Sequence, residues 1–345
     1  MESNLSQILK ERLKIADRIV SLRKLHGDAS YRTYFRLTLE GGRTFIVMQL
    51  PQGISSASEE ITNLKEKPAE LPFVNIDRFL RGLGLPVPAI HDHDEKSGLL
   101  LLEDFGDETL EKRLSHCSEE EKKEWYRRAI DLLVRFQTLG MQRKDGCIAH
   151  KRSFDETLLN WEFNHFLEYG IEVRLETKIS EEDRKAIRQG MNFITYALTR
   201  LPQTLTHRDF QSRNLMIQNG TLKLLDFQDA LMGPYLYDLV ALLRDSYVTL
   251  PWTLVEELIA YYLQLKRSEG LNQGSASPYK IFDWMTIQRK LKDAGRFVYI
   301  ERVKGNPNFL KHIPTSLSYV REAFERQEEL KNLFGILKKY VPEFK

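Results

Sequence analysis

A histidine, an arginine and an aspartate open the run His207-Arg208-Asp209-Phe210-Gln211-Ser212-Arg213-Asn214, and an asparagine closes it. A second aspartate follows in Leu224-Leu225-Asp226-Phe227-Gln228. Phosphoryl transfer from a nucleoside triphosphate asks a protein mainly for positioning and charge neutralisation. It needs a carboxylate beside the attacking hydroxyl, able to take the proton late, and Asp209 fits that role. It also needs an amide oxygen and a second carboxylate to hold Mg²⁺ against the phosphates, and Asn214 and Asp226 fit those. A lone Asp or Asn in a loop is ordinarily a turn former or a helix cap. Three in this order, in one loop-and-hairpin context, read as a site.

The elements around them follow from periodicity. Two β-rich runs bracket Asn219-Gly220, a hairpin turn that carries Asp226 back towards Asn214. Upstream, residues 5–25 read as a charged amphipathic helix. Residues 34–39 and 44–50 read as a hairpin about Glu40-Gly41-Gly42. A helix over 72–83 ends at Gly84 and Pro86, and strands follow over 87–91 and 99–103. Beyond Glu108 the pattern turns helical, over 119–139, 154–169, 180–201, 237–245, 254–267, 279–301 and 314–340. The reading is an α+β chain with a small strand-rich lobe, residues 1–105, and a larger helical lobe, residues 106–345.

Composition sets the frame. The 345 residues suffice for two lobes and a substantial core. With 51 basic and 49 acidic residues the net charge is +2, which gives no electrostatic argument for nucleic acid or an anionic membrane. Cys117 and Cys147 make no disulfide framework and fit a reducing cytoplasm. The first ten residues lack the apolar core of a secretory signal, and no stretch is apolar enough to span a bilayer. No obligate protein partner is evident.

The run from His207 to Asn214 fits the kinase catalytic loop, and Asp226-Phe227-Gln228 occupies the place of the metal-binding D-F-G. Here the sequence resembles the aminoglycoside phosphotransferase and choline kinase group of kinase-fold enzymes. Within it, the chain is most similar to bacterial anomeric amino-sugar kinases, which phosphorylate N-acetylmuramate and N-acetylglucosamine at C1 in cell-wall recycling. The residues that carry the resemblance are 27–36 (Gly27-Asp28-Ala29-Ser30-Tyr31-Arg32-Thr33-Tyr34-Phe35-Arg36), Gly84-Leu85-Pro86-Val87-Pro88 and Leu100 to Gly106. Asp226 to Ala230, Gly233-Pro234, Tyr237-Asp238, Gln288-Arg289 and Leu291-Lys292 add to it. The resemblance implies a two-lobed protein-kinase-like fold, with ATP and Mg²⁺ as cofactors and a small alcohol as acceptor. It implies that the first hairpin, with Ser30 and Arg32, covers the ATP phosphates. It places backbone groups of Leu102, Glu103 and Asp104 against adenine. His207 and Asp238 would support the catalytic loop.

One departure stands out. Kinase-fold enzymes carry a Lys on the third strand that holds the α- and β-phosphates. In Phe45-Ile46-Val47-Met48-Gln49-Leu50 the nearest residue is Met48. A unit charge ~4 Å from a phosphate contributes about 4 kcal/mol at an effective dielectric of about 20, so something must replace it. Arg32 and Arg36 are the nearest candidates. Arg213, Asp229 and Arg289 are candidate acceptor contacts; structural ion pairs are the plainer reading of the first two, and a solvated basic helix face of Gln288-Arg289-Lys290-Leu291-Lys292. His91-Asp92-His93-Asp94 reads as a polar turn rather than a metal site. Trp161, Trp252 and Trp284 read as core. The competing functions are a kinase of another alcohol (an aminoglycoside, choline or homoserine) and a nucleotide-binding pseudokinase.

Overall fold

A computed structural model describes residues 9–13, 15–25, 32–51, 70–143, 146–270 and 277–345. Ser30, with residues 26–31 of the first hairpin motif, lies outside them.

The N-terminal lobe is a five-stranded antiparallel sheet, in the order β1-β2-β3-β5-β4. A short helical turn, α1 (residues 9–12), precedes β1 (Ile19–Leu25). β2 (Thr33–Leu39) and β3 (Thr44–Gln49) form the expected hairpin, and Gly41 and Gly42 take the left-handed φ values of 86° and 82° its turn requires. The helix expected over residues 5–25 is therefore mostly wrong. Leu22 is buried opposite Leu37 while Ser21 and Arg23 on either side of it are exposed, an alternation that pairing with β2 enforces over the charged, helix-compatible composition. α2 (Pro72–Gly82) crosses the sheet before β4 (Ile90–Asp94) and β5 (Leu99–Glu103). β4 starts later than expected, after Pro86 and Pro88, neither of which can donate to a ladder. His91 to Asp94 lie in this strand rather than in a turn, which follows at 95–98. Among the described residues, no group of three or more His, Cys, Asp and Glu is placed to hold a metal ion.

The two faces of the sheet serve different cores. Leu37, Leu39, Val47, Leu99 and Leu101 pack with Leu9, Leu13 and Leu22 on the outer face. On the inner face Met48, Leu100 and Leu102 join Phe73, Ile76 and Leu80 of α2 in the main core, which continues into the helical lobe. Arg36 of β2 reaches the connector between the lobes. Its Nε stands 2.7 Å from Asp104, its Nη1 binds Asp107 and its Nη2 donates to the Gly106 carbonyl at 2.9 Å.

In the helical lobe, α3 (Leu110–Leu114) and α4 (Glu119–Gln142) come first, α4 opened by a Ser118–Glu121 capping box. α5 (Glu156–His165) runs into a π-helical stretch, Phe166–Val173, and α6 (Glu181–Thr199) follows. Two small sheets then frame the motif residues. β6 (Gln203–Thr206) pairs with β9 (Leu231–Pro234), and β7 (Leu215–Gln218) pairs with β8 (Thr221–Leu224) across the expected Asn219-Gly220 turn. The loop bearing Asp209 leaves β6, and the loop bearing Asp226 leaves β8.

α7 (Tyr237–Leu243), α8 (Trp252–Ser268) and α9 (Pro278–Lys304) follow, α9 nearly enclosed by its neighbours. The single helix expected over 314–340 is two, α10 (Ile313–Glu325) and α11 (Lys331–Tyr340). The break is made by Arg326 and Gln327, whose side chains donate to Asp283 of α9 at 2.6 and 2.7 Å.

Two expectations for stability follow. A methyl group on Gly295 of α9 would lie 2.8 Å from Phe166 Cα and 3.0 Å from the His165 carbonyl. Neither backbone atom can yield cheaply, so Gly295→Ala should cost about 1–3 kcal/mol in chemical denaturation. Asp77 of α2 is buried, its Oδ1 has no hydrogen-bond partner among the described residues, and burial raises its carboxyl to about 7. The folded chain then keeps a proton that the unfolded chain has lost, so this group makes stability fall between about pH 4 and about pH 7. Asp77→Asn should therefore gain about 1–3 kcal/mol at about pH 8 and almost nothing at about pH 4, measured by denaturant titration at both.

Candidate functional site

A cleft of about 1020 Å³ lies between the lobes, and Asp209, Asn214 and Asp226 all line it. The loop that carries Asp209 is fastened from below. The buried Asp238 carboxylate accepts the backbone N–H of His207 at 2.7 Å and of Arg208 at 3.0 Å. Burial pushes that carboxyl up to about 7, while those donors and the Arg289 charge pull it down. Asp245 accepts both the N–H and the hydroxyl of Ser212, at 2.9 and 2.5 Å. His207 is buried, packed edge-on against Phe136 and Phe210, and burial lowers its pKa to about 4, so its ring is neutral. Arg208 sits at φ 75°, and Asp226 at φ 61°. Two non-glycine residues in left-handed backbone, both lining one cleft, are the kind of strain that functional sites hold.

Burial alone would raise the Asp209 carboxyl, but the charges of Lys292, Arg289 and Arg208 outweigh it and hold it below the usual carboxylate range. Asp209 is thus ionised at neutral pH. Asn214 donates its amide N–H to the Asp209 carbonyl at 2.8 Å, which leaves the amide oxygen for a cation. Asp226 keeps 41 % of its side chain open, so its enclosure is that of a recess rather than a core. That enclosure raises its carboxyl to about 6, with Asp209 and Asp229 adding to the rise and Arg32 opposing it. A crowded oxygen donor set of this kind, with an amide beside it, fits a hard divalent cation such as Mg²⁺.

Arg32 lines the cleft with Nη1 3.5 Å from Asp226 Oδ1. Arg36, the other candidate for the missing lysine charge, is committed to the connector carboxylates. Met48 lies buried in the main core and Ile46 lines the cleft in its stead. Leu102, Glu103 and Asp104 line the inner end of the cleft. Two of their backbone groups are already engaged, since Glu103 N–H donates to Ala89 and the Asp104 carbonyl accepts from Gln218.

Arg213 lines the cleft, held by a two-pronged pair with Glu111 at 2.8 and 3.0 Å and laid 3.6 Å over the Tyr247 ring. Asp229 also lines it, bridged to Asp226 by the side-chain amide of Gln228. The basic face expected on α9 is not solvated, because Gln288, Arg289 and Lys290 are fully buried. Arg289 is not in the cleft wall; its Nη2 lies 3.3 Å from Asp209 Oδ1. Lys292, three residues on, does line the cleft, with Arg296 and Lys304 further along the same helix. Trp161, Trp252 and Trp284 are absent from the lining among the described residues.

Sequence reasoning missed several supports. Gln228, two residues after Asp226, bridges that residue and Asp229 through its side-chain amide, a role its position in the motif does not announce. Arg152, whose Nη2 donates to the carbonyls of Gln228 and Ala230, and buried Glu162, which binds Gln288 at 2.6 Å, carry no local signal. They are recognisable only once distant elements meet.

Comparison with known proteins places this geometry. Residues 21–272 match the model of the phosphotransferase enzyme family. An N-acetylmuramate/N-acetylglucosamine kinase of Pseudomonas putida is 30% identical, over 91% of this chain and 86% of its own length. Among solved structures, choline kinase LicA from Streptococcus pneumoniae aligns with a TM-score of 0.60 at 16% identity, covering 96% of this chain and 99% of its own. Amicoumacin kinase hAmiN, solved with AMP-PNP and Ca²⁺, aligns with a TM-score of 0.59 at 13% identity, covering 95% and 97%. The likeness to both is one of fold, the two-lobed protein-kinase-like arrangement. The chain belongs to the phosphotransferase enzyme family and is a small-molecule kinase.

Proposed function

We propose that this kinase transfers the γ-phosphoryl group of ATP to the anomeric hydroxyl of N-acetylmuramate and N-acetylglucosamine, in the cytoplasm, with Mg²⁺. The observation that carries the catalytic part is the convergence of Asp209, Asn214 and Asp226 on one cleft. The acceptor follows from the relative named for those sugars, which matches nearly the whole chain.

In this reading residues 1–105 hold the nucleotide and 106–345 the acceptor. Backbone groups of Leu102 to Asp104 meet the adenine, and Ser30 and Arg32 meet the phosphates. Asn214 and Asp226 would hold Mg²⁺, which when bound neutralises phosphate charge. Asp209 accepts a hydrogen bond from the sugar hydroxyl and takes its proton as the oxygen bonds to the γ-phosphorus. The bond from that phosphorus to the β–γ bridging oxygen breaks, and ADP leaves. Arg213 and Asp229 are placed to meet the acceptor or the transferring phosphoryl group. In this reading the acceptor meets α9, whose Lys292, Arg296 and Lys304 line the cleft beside Asp293, a predominantly basic face that suits a neutral or anionic sugar better than a quaternary ammonium.

An acceptor screen with ATP and Mg²⁺ tests this, using N-acetylmuramate, N-acetylglucosamine, choline and an aminoglycoside. The sugar 1-phosphates should form, identified by phosphorus NMR; phosphocholine or a phosphorylated aminoglycoside as the sole product would sink the acceptor assignment. Asp209→Asn should lower kcat by about 10²–10⁴ and leave ATP affinity nearly unchanged, whereas Asp226→Ala should lower both. Calorimetric ATP titration beside turnover separates the two. Asp238→Asn offers only one acceptor oxygen to two buried N–H groups, so it should cost about 1–3 kcal/mol of stability and reduce kcat more than either KM.

A further inference from the structure

The segment matched by the family model ends at residue 272, and α9 begins at Pro278. A residue of α9 nevertheless touches the proposed catalytic base. Arg289 is fully buried, with its guanidinium 4.8 Å over the Tyr237 ring and Nη2 3.3 Å from Asp209 Oδ1. Its Nε and Nη1 are buried without a hydrogen-bond partner among the described residues. A buried guanidinium with donors unused is a costly fixture, and packing alone does not account for it. Tyr237 precedes Asp238, whose carboxylate holds the N–H groups of His207 and Arg208. Arg289 therefore lies between the brace of the loop and the side chain the loop presents. Other charges close the group: Lys292 and Arg208 on the cationic side, Glu162, Asp238 and Asp293 on the anionic.

We propose that Arg289 is a positioning residue for phosphoryl transfer, fixing the Asp209 carboxylate through Oδ1 and leaving Oδ2 for the acceptor hydroxyl. The planar, permanently charged guanidinium suits this better than an ammonium, since it holds direction and stays ionised when buried. Arg289 does not line the cleft, so it acts on the acceptor only through Asp209. This assignment rests on Asp209 as the base.

The test is a double-mutant cycle, with Arg289→Met and Arg289→Lys made in the wild-type and Asp209→Asn backgrounds. Turnover is followed with the acceptor the wild type phosphorylates, and Mg·ATP binding by calorimetry. Arg289→Met should lower kcat by about tenfold to a hundredfold, the scale of a misplaced catalytic group, with both KM values and ATP binding little changed. Arg289→Lys should fall between it and the wild type. In Asp209→Asn, replacing Arg289 should bring almost no further loss. Losses that multiply across the cycle would overturn the proposal. So would an effect confined to the acceptor KM, which would make Arg289 a substrate contact. If Arg289→Met does not fold, Arg289→Lys carries the same comparison, and a kcat equal to that of the wild type overturns it. An Asp209→Asn enzyme with full turnover would instead remove the base assignment itself.

Discussion

Asp209 is useful only while the backbone on either side of it stays fixed, and that backbone is not part of any ladder. Arg208 takes a left-handed conformation, at a cost on the order of 1–3 kcal/mol for a non-glycine residue. Buried carboxylates hold the loop against this strain: Asp238 grips the N–H groups of His207 and Arg208, and Asp245 grips Ser212. Such grips satisfy donors that would otherwise be buried and unpaired, yet they place two acids in a low-dielectric interior. Buried acids need nearby cations, and α9 provides them. Arg289 lies beside Asp238 and Asp209, and Lys290 beside Asp245. The charge density of α9 is the counterpart of a loop held by carboxylates.

The same constraint explains how the cleft manages without a lysine on β3. Ile46 and Met48 share the inner face of β3, and along it Ile46 lines the cleft while Met48 is buried in the core with residues of α2. Phe73 of that helix stacks on Phe227, 4.9 Å between ring centres, so the helix meets the residue after Asp226 through an apolar contact. A lysine at position 48 would need a buried acid partner. The acid on α2, Asp77, is not part of the cleft lining, and burial raises its carboxyl despite the nearby Arg81 and Arg78. Positive charge enters instead from Arg32, just before β2, beside Tyr34 of that strand, and both line the cleft.

How much of this could be read beforehand depended on whether the information was local. The Asp209–Asn214 run, the Asn219-Gly220 turn and the lobe order rest on neighbouring residues, and the fold follows them closely. Residues 19–25 did not, because a strand at a sheet edge is decided by its partner; their own charged composition suits a helix equally well. The break after Glu325 depends on Asp283, more than forty residues away in sequence. α9 misled for a related reason. Four charged or amide side chains within five residues read as a wet surface, and only the placement of Glu162, Asp209, Asp245 and Asp293 around them makes burial tolerable.

Arg32 and Arg36 show why residue type and alternation alone could not separate a cleft charge from a fastener. They lie four apart, Arg36 on β2 and Arg32 just before it, and both line the cleft. Arg36 meets an enclosed Asp104, an exposed Asp107 and the Gly106 carbonyl within 3.0 Å, which ties the sheet to the connector. Of these the Asp104 contact matters most, because water screens the Asp107 pair. Arg32 meets Asp226 at 3.5 Å from the opposite lobe, with Tyr34 and Asp229 also close to its charge. Arg36 thus ties β2 to the connector, while Arg32, just before the strand, carries its charge to the side of the cleft where Asp226 and Asp229 stand. What decides the role of each arginine is where its acceptors stand: on the connector for Arg36, on the far wall of the cleft for Arg32.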